Sequence, residues 1–324
     1  MKNYNDEALH VACSTDDNYA PLCGVMLCSL LENSTWTHLY VHILIDRLSE
    51  DNKQRLRHQV EKYDNADCIF HPVDVNRFEG CKYKTSGHVL SAAAYYRVLL
   101  PSILPDVDRV IYIDCDMVIT KDISDLNETD LSGYPLAAVE DYGLKHIRHH
   151  RELLGLSPDD KYFNSGFLII NLPYWREHGS EEPLLAFSRR ERIVLFHDQD
   201  ALNYVFKGCW LRLPPEWNRF NVCHLRAPHF LNSSEELRRF MLSPAVIHYT
   251  DKLFKPWYSL PYIPFRRTWY KYKKMSEWGG IGLSRPNPKP LRAQLLIIIF
   301  ALHMAFYVVR TSFRMSFCTS CDRR

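Results

Sequence analysis

The chain has 324 residues, of which 46% are hydrophobic and 24% charged, and its formal net charge is +2. These values are those of a globular protein with apolar material for one sizeable core. The ten cysteines are scattered, several of them in apolar runs, which fits reduced core thiols in a cytoplasmic protein better than a disulfide framework.

Taken in order, Met1 to Asp6 is polar and no apolar stretch of signal-peptide length follows, so no secretory signal is expected. Leu9 to Cys13 reads as a first buried strand. The polar run Thr15 to Tyr19 follows it, and then an apolar helix from Pro21 to Leu31. A helix start after a buried strand offers free N–H groups and a positive dipole end, which suits a phosphate. Asp16 and Asn18 could bond a base or ribose, or one of them could simply cap the helix. Leu39 to Leu44 is a second strand. Ser49 opens an amphipathic helix reaching about Tyr63, and Cys68 to Phe70 is a third strand. Strands alternating with helices predict βαβ units and a mostly parallel sheet. A polar loop over 76–90 leads to SAAAYYRVLLPSIL, expected to be a helix that ends near Pro101 or Pro105. Arg97 falls within its apolar periodicity, where a cation requires an anion from protein or ligand.

The stretch RVIYIDCD, Arg109 to Asp116, organises the rest. Val110 to Ile113 is an unbroken apolar run, as expected of a strand covered on both faces. It ends in Asp114 and Asp116. Side chains two apart on an extended segment point the same way. Two carboxylates would therefore converge beyond the end of a central strand, where open α/β sheets place ligands. Paired hard oxygen donors suit a divalent cation, although a solvated acidic turn has the same spacing. Leu136 to Val139 is a further strand, ending at Glu140 and Asp141. Tyr142 to Asp160 is charged and His-rich and reads as a loop. YFNSGFLIINL, 162–172, returns to a buried strand, interrupted at Asn164-Ser165-Gly166 where a backbone or ligand could come close. A helix begins at Pro173. The cluster His197-Asp198-Gln199-Asp200 opens another helix, ALNYVF. Ala245 to Tyr249 reads as the last core strand, with His248 near its end. Cys318-x-x-Cys321 lacks a second pair and is a weak metal or redox signal.

The ordered set Asp16-Asp17-Asn18-Tyr19, Tyr96-Arg97, VIYIDCDMVI, YFNSGFLIINL, DQDALN, His248-Tyr249 and Lys255-Pro256-Trp257 resembles glycosyltransferase family 8, above all its bacterial lipopolysaccharide α-glucosyl- and α-galactosyltransferases. The resemblance covers roughly residues 8–260. It implies an α/β fold of the GT-A type, with a Rossmann-like, mostly parallel central sheet and helices on both faces. It implies a UDP-sugar donor and a divalent metal, Mn²⁺ with Mg²⁺ as substitute, held by Asp114, Asp116 and His248. Alone, His248 would be read as a satisfied core histidine. By the same resemblance Asp16, Asn18 and Tyr19 would contact uridine, with Cys13, Ser14 and Cys115 beside the donor. Arg97, Asp141, Asn164, Asp198 and Gln199 would line the donor sugar, and Lys255 would meet the diphosphate. The sequence departs from the family over Thr250 to Phe254, which carries no glycine and contains Asp251.

The family retains anomeric configuration. Gln199 stands where a β-face nucleophile would be needed, and an amide is a poor one. That favours same-face transfer, with Asp198 and Asp200 close in sequence. The implied product is an α-linked glucose or galactose on the lipopolysaccharide core. A metal-dependent nucleotide-sugar hydrolase and an inactive sugar-nucleotide-binding membrane scaffold are the alternatives.

Residues 1–260 are expected to form the catalytic domain, and 261–324 a basic, aromatic membrane-association segment. From Lys252 onward there are 14 Lys or Arg against 2 Asp or Glu, while the rest of the chain carries 26 against 36. Trp269, Tyr270, Tyr272 and Trp278 lie among these cations, a composition suited to anionic head groups. Nothing further supports nucleic acid. The apolar stretch 295–309 would span roughly 22 Å as a helix, against about 30 Å of hydrocarbon. It therefore reads as an in-plane or partly inserted anchor. The expected location is the cytoplasmic face of the inner membrane, held peripherally.

Overall fold

The computed structural model describes residue 4, residues 7–81, 84–85, 88–89, 92–141, 148–157, 159–190, 196–220, 239–240, 243–250, 255–258 and 263–283, and residues 295 and 299. The loop 251–254, most of the apolar stretch 295–309 and the Cys318-x-x-Cys321 pair lie outside them.

Strand β1 (Leu9–Ser14) leads to helix α1 (Ala20–Asn33), β2 (Leu39–Ile45), α2 (Glu50–Val60) and β3 (Ala66–Pro72). Ser49 caps α2 by accepting from Asn52 N. A two-stranded pair follows, β4 (Lys84–Thr85) and β5 (His88–Val89), then a 3-10 segment Ala92–Leu99 and the short helix α3 (Leu100–Ile103). The single helix expected here is thus a 3-10 run that relaxes into one α turn. Pro101 lies inside that turn rather than ending it, since a first-turn residue needs no N–H partner.

Then come β6 (Arg109–Ile113), β7 (Met117–Ile119), β8 (Leu136–Glu140), α4 (Arg148–Leu153), β9 (Phe163–Asn171), α5 (Leu172–Glu177), α6 (Glu181–Ser188) and α7 (His197–Val205). The chain continues with β10 (Leu211–Arg212), β11 (Arg219–Phe220), β12 (Val246–His248) and α8 (Arg266–Met275). Helix α4 falls inside the region expected to be loop.

The central sheet has seven strands in the order β10-β8-β9-β6-β1-β2-β3. Strands β6, β1, β2 and β3 run parallel, and β9 is antiparallel to both β6 and β8. The sheet divides two apolar cores. Ile111 and Ile113 of β6 enter the core built with α1 and α2, and Val110 and Tyr112 enter the other. Both faces are covered, which is why β6 is apolar throughout rather than alternating. The expected last core strand, Ala245–Tyr249, is buried, but it does not join the central sheet. Strand β12 instead pairs with β7 and β11 in a separate three-stranded sheet. A short apolar run shows burial but not its partner.

The segment after residue 260 is part of the same packing. Trp269, Tyr272 and Trp278 are buried in the core with α1. Gly24 on α1 admits the Trp278 ring so closely that a Cβ there would lie 2.1 Å from Trp278 Cζ3. Gln59 on α2 donates to Gly24 O and accepts from Glu277 N at 3.0 Å. These three aromatic side chains, expected at a membrane interface, are therefore withheld from one. Among the described residues no helix is long and apolar enough to cross a membrane.

Candidate active site

The site lies beyond the C-terminal end of β6. Asp114 follows the strand directly, a turn at Cys115 and Asp116 reverses the chain, and β7 begins at Met117. The two carboxylates converge because of this turn and not, as the spacing suggested, through alternation along a strand. Cys115 turns into the core while its neighbours face outward. Strand β12 pairs with β7 so that His248 stands opposite Met117. This brings His248 Nε2 to 3.1 Å from Asp116 Oδ1 and 3.8 Å from Asp114 Oδ2. One ligand atom from each of Asp114, Asp116 and His248 lies within 4.8 Å of the others.

The direction of the His248 ring follows from the backbone. Gly166 N–H donates to Asn164 Oδ1 at 3.1 Å, so that atom is an acceptor. Asn218 Nδ2 donates to the same oxygen at 2.8 Å, which leaves Asn218 Oδ1 facing His248 Nδ1 at 3.0 Å. An amide oxygen only accepts, so Nδ1 carries the proton. In the neutral ring the Nε2 lone pair then points at two carboxylates. That arrangement is repulsive by itself and favourable around a cation. A histidine fixed by its far nitrogen is the ordinary form of a metal ligand. The donor set fits a divalent metal such as Mn²⁺.

Gly166 makes this approach sterically possible. A Cβ there would lie 2.3 Å from His248 Cε1, 2.7 Å from Met117 Cε and 2.8 Å from Asp114 Oδ2. The interruption of the apolar run at Asn164-Ser165-Gly166 thus marks a close approach.

Gln199, in the first turn of α7, is oriented in the same way. Ser165 N–H donates to Gln199 Oε1 at 3.1 Å and Asn164 Nδ2 donates to it at 3.0 Å. Gln199 Nε2 then donates to Asp141 Oδ2 at 3.2 Å. Asp198 accepts from Ser165 Oγ at 3.1 Å and lies 3.3 Å from Arg97 Nε. Asp200 is buried, accepting from Tyr162 OH at 2.7 Å and Phe196 N at 2.8 Å, with His150 Nε2 at 2.8 Å. It braces the start of α7 against α4 and the residue ahead of β9.

Arg97 is almost wholly buried. Its guanidinium donates to Asp114 Oδ1 at 2.7 Å, to Ala94 O at 3.0 Å and to Ser165 O, and it lies 4.0 Å from the Tyr112 ring centroid. The anions beside it are protein carboxylates, Asp114 and Asp198. Lys255 Nζ contacts Asp116 Oδ2 and Tyr249 O, each at 2.5 Å. Burial pushes the Asp114 carboxyl up to about 6, against the pull of Arg97. Burial also acts to raise Asp116, but the Lys255 ammonium beside it outweighs burial and holds that carboxyl well below the ordinary range.

On the other side of the turn, Tyr112 OH donates to Ser14 Oγ at 3.1 Å, and Cys115 Sγ lies 3.1 Å from Ser14 O. Cys13 is fully buried, while Asn18 and Tyr19 are exposed. Asp16 closes the turn ahead of α1, accepting from Tyr19 N at 2.9 Å through Oδ1 and from Ala20 N at 2.8 Å through its carbonyl. The expected free N–H groups at the α1 terminus are not there. Ala20 N is taken by Asp16, residue 21 is proline, and Leu22 N donates to Tyr19 O at 2.9 Å. Asp17 instead ties this segment to α2, accepting from Ser49 N, Ser49 Oγ and Asn52 Nδ2.

Asn218 and Tyr112 escaped the sequence reading. Asn218 sits in a short polar 3-10 turn, Pro215–Asn218, with no motif around it. Tyr112 reads only as core.

The family model for "Glycosyl transferase family 8" matches residues 10–260. The chain is 34% identical over 286 residues to General stress protein A of Bacillus subtilis (strain 168), covering 86% of this chain and 97% of that protein. It is 26% identical over 268 residues to a lipopolysaccharide 1,2-glucosyltransferase of Escherichia coli (strain K12), covering 82% and 77%. Against glycosyltransferase GlyA of Streptococcus pneumoniae serotype 4 (strain ATCC BAA-334 / TIGR4) identity is 30% over 216 residues, covering 63% of this chain and 28% of that protein. Among solved structures, galactosyltransferase LgtC in complex with donor and acceptor sugar analogues superposes with a TM-score of 0.70 at 24% identity, covering 84% of this chain and 99% of the other. That likeness is one of fold.

Proposed function

The chain belongs to glycosyl transferase family 8, and on that premise we propose that it is a metal-dependent, retaining hexosyltransferase. In this reading it moves glucose or galactose from a UDP-sugar to the lipopolysaccharide core and forms an α-linkage. The observation that carries the reading is the proton on His248 Nδ1, which leaves Nε2 aimed at Asp114 and Asp116 at the end of the central strand.

Asp114, Asp116 and His248 would hold the divalent cation, Mn²⁺ with Mg²⁺ as substitute, whose bound charge offsets that of the departing UDP. Asp16, Asn18 and Tyr19, on the exposed segment after β1, bind uridine, with the backbone of Cys13, Ser14 and Cys115 passing beside the donor. Lys255 moves from Asp116 to the diphosphate when the donor enters. Asp141, Asn164 and Gln199 form the wall for the sugar. Arg97 holds Asp114 and Asp198 at a fixed spacing.

The hydrogen bonds support same-face transfer. Gln199 Oε1 already accepts from Ser165 N and Asn164 Nδ2. Asp198 is committed to Arg97 and Ser165. Asp200 is enclosed by His150, Tyr162 and Phe196 N. Gln199 Oε1, Asp198 Oδ2 and both Asp200 oxygens thus already have partners. The acceptor proton passes to the leaving phosphate.

The lipopolysaccharide acceptor is carried over from the E. coli lipopolysaccharide 1,2-glucosyltransferase. The basic composition beyond Lys252 supports work at the cytoplasmic face of the inner membrane, with the tail on anionic lipid. The test is to supply UDP-glucose or UDP-galactose with Mn²⁺ and truncated lipopolysaccharide, then determine the anomer of the product by NMR. An α-linked hexose from one donor is expected. A β-linked product, or UDP released with no sugar transferred, contradicts the proposal.

A further inference from the structure

Beneath the acidic turn three cysteines meet. Cys13 ends β1, Cys23 lies in α1, and Cys115 sits between Asp114 and Asp116. Their sulfurs all lie within 4.8 Å of one another. Cys13 Sγ and Cys23 Sγ are 3.6 Å apart, and all three residues are reduced and buried, at 0%, 0% and 5% exposure.

We propose that Cys13, Cys23 and Cys115 form a thiolate site for a soft, closed-shell cation of the Zn²⁺ or Cu⁺ type, separate from the hard-metal site of Asp114, Asp116 and His248. The geometry supports it. Sulfurs bound at about 2.3 Å in a tetrahedral arrangement stand roughly 3.8 Å apart. The Cys13 to Cys23 separation is already close to that. The ligand chemistry supports it as well. Sulfur selects thiophilic cations, whereas carboxylate with imidazole suits Mn²⁺. Two clusters joined at one turn therefore prefer different ions. On binding, each coordinating thiol gives up its proton to solvent and a metal–sulfur bond forms, with no change of oxidation state.

The placement gives the site a purpose. Cys13 directly precedes Ser14 and the exposed segment to Tyr19. Cys23 belongs to the helix that this segment enters. Cys115 is the inward residue of the acidic turn. A cation shared by the three would fasten the segment after β1 to the turn carrying Asp114 and Asp116. This inference does not depend on the donor or acceptor proposed above.

The test uses the full chain, reduced and chelator-stripped, with Mg²⁺ kept saturating at the acidic site and Cd²⁺ as the probe. One equivalent of Cd²⁺ is expected to bind with a sulfur-to-metal charge-transfer band and a higher unfolding temperature. The band is expected to persist in Cys318→Ser/Cys321→Ser and to vanish in Cys23→Ser. X-ray absorption at the cadmium edge of the Cys318→Ser/Cys321→Ser protein is expected to count three sulfur neighbours, and it decides the matter if Cys23→Ser fails to fold. Absence of the band, its survival in folded Cys23→Ser, or a shell of oxygen and nitrogen overturns the proposal. So does a thiol count in denaturant that falls two short before any metal is added, which would mean a disulfide.

Discussion

His248 donates its Nδ1 proton to Asn218 Oδ1 across 3.0 Å, and this contact decides which nitrogen faces the aspartates. Removing the partner should weaken the site without dismantling the fold. Outer partners of a ligating histidine typically contribute about 10–100-fold in metal affinity. Asn218→Ala is expected to raise the Mn²⁺ concentration needed for half-maximal activity by about that factor. An unchanged Mn²⁺ requirement with a lower maximal rate would mean that Asn218 supports the substrate rather than His248.

Gly166 offers a second, steric handle on the same histidine. Its Cβ position is 2.3 Å from His248 Cε1 and 2.8 Å from Asp114 Oδ2. Gly166→Ala must displace both, and His248 and Asp114 are held by further contacts. Turnover is expected to fall by about 100-fold or more, since misplacement on the 1 Å scale costs about that much. Far-ultraviolet circular dichroism should remain that of the wild type. Near-normal turnover would show that the three ligand candidates need not stand as they do here.

Arg97, itself buried, joins the buried Asp198 and the partly exposed Asp114. Its guanidinium lies 2.7 Å from Asp114 Oδ1 and 3.3 Å from Asp198 Oδ2. Replacing it with an uncharged residue leaves both without their cation, and breaking a buried pair costs about 3–5 kcal/mol. Arg97→Met is expected to lose stability on that scale in urea and to lose activity as well. Retained stability with a raised KM for the donor would instead place Arg97 in direct contact with the sugar.

Much of this was legible in the sequence, and the reasons for what was not are physical. The β6 run is apolar on both faces, and β1 and β2 are broken only by His10, Tyr40 and His42, so strand and burial could be read together. Asp114, Asp116, His248, Gln199 and Asn164 carried motif signals, and the fold brings them together. The antiparallel entry of β9 and the removal of β12 to a second sheet depend on pairing, which an apolar run does not encode. The inward set of Trp269, Tyr272 and Trp278 was misread because cations beside them imitate a membrane interface. For Trp278 the partner is Gly24, more than 240 positions earlier, whose missing Cβ shows only in three dimensions. Asn218 has no neighbours in sequence that mark it.

The packing of the C-terminal segment separates two truncations. Ending the chain after residue 260 removes Trp269, Tyr272 and Trp278 from the core. Loss of one buried tryptophan typically costs about 3–5 kcal/mol, so this form is expected to be insoluble or unfolded. Ending it after residue 283 keeps all three, and that form is expected to fold, to bind UDP and to leave the membrane fraction. A folded protein ending at 260 would contradict the packing. Membrane sedimentation of the form ending at 283 would contradict the proposed role of the tail.

Histidine 10 gives a pH dependence remote from the site. His10 Nδ1 lies 3.0 Å from His42 Nε2, and the ring packs against Tyr4 and Tyr40. Burial, with His38 acting in the same direction, holds the imidazole down to about 4 from its ordinary 6.5. Between those values the unfolded chain binds a proton that the folded chain does not. Stability is therefore full above about pH 6.5 and declines as pH falls toward 4. His10→Gln is expected to flatten that decline in urea unfolding. An identical slope in both proteins would assign it to other groups.

The central claim is that transfer runs through a cation held by Asp114, Asp116 and His248. The most direct measurement follows UDP release and sugar incorporation together, in chelator-treated protein and after Mn²⁺ is restored, for wild type and Asp116→Asn. Both signals are expected to vanish with chelator, to return in equal amounts with Mn²⁺ in the wild type, and to stay at least 100-fold lower in Asp116→Asn. Equal turnover with and without Mn²⁺, or full recovery in Asp116→Asn, would contradict the account.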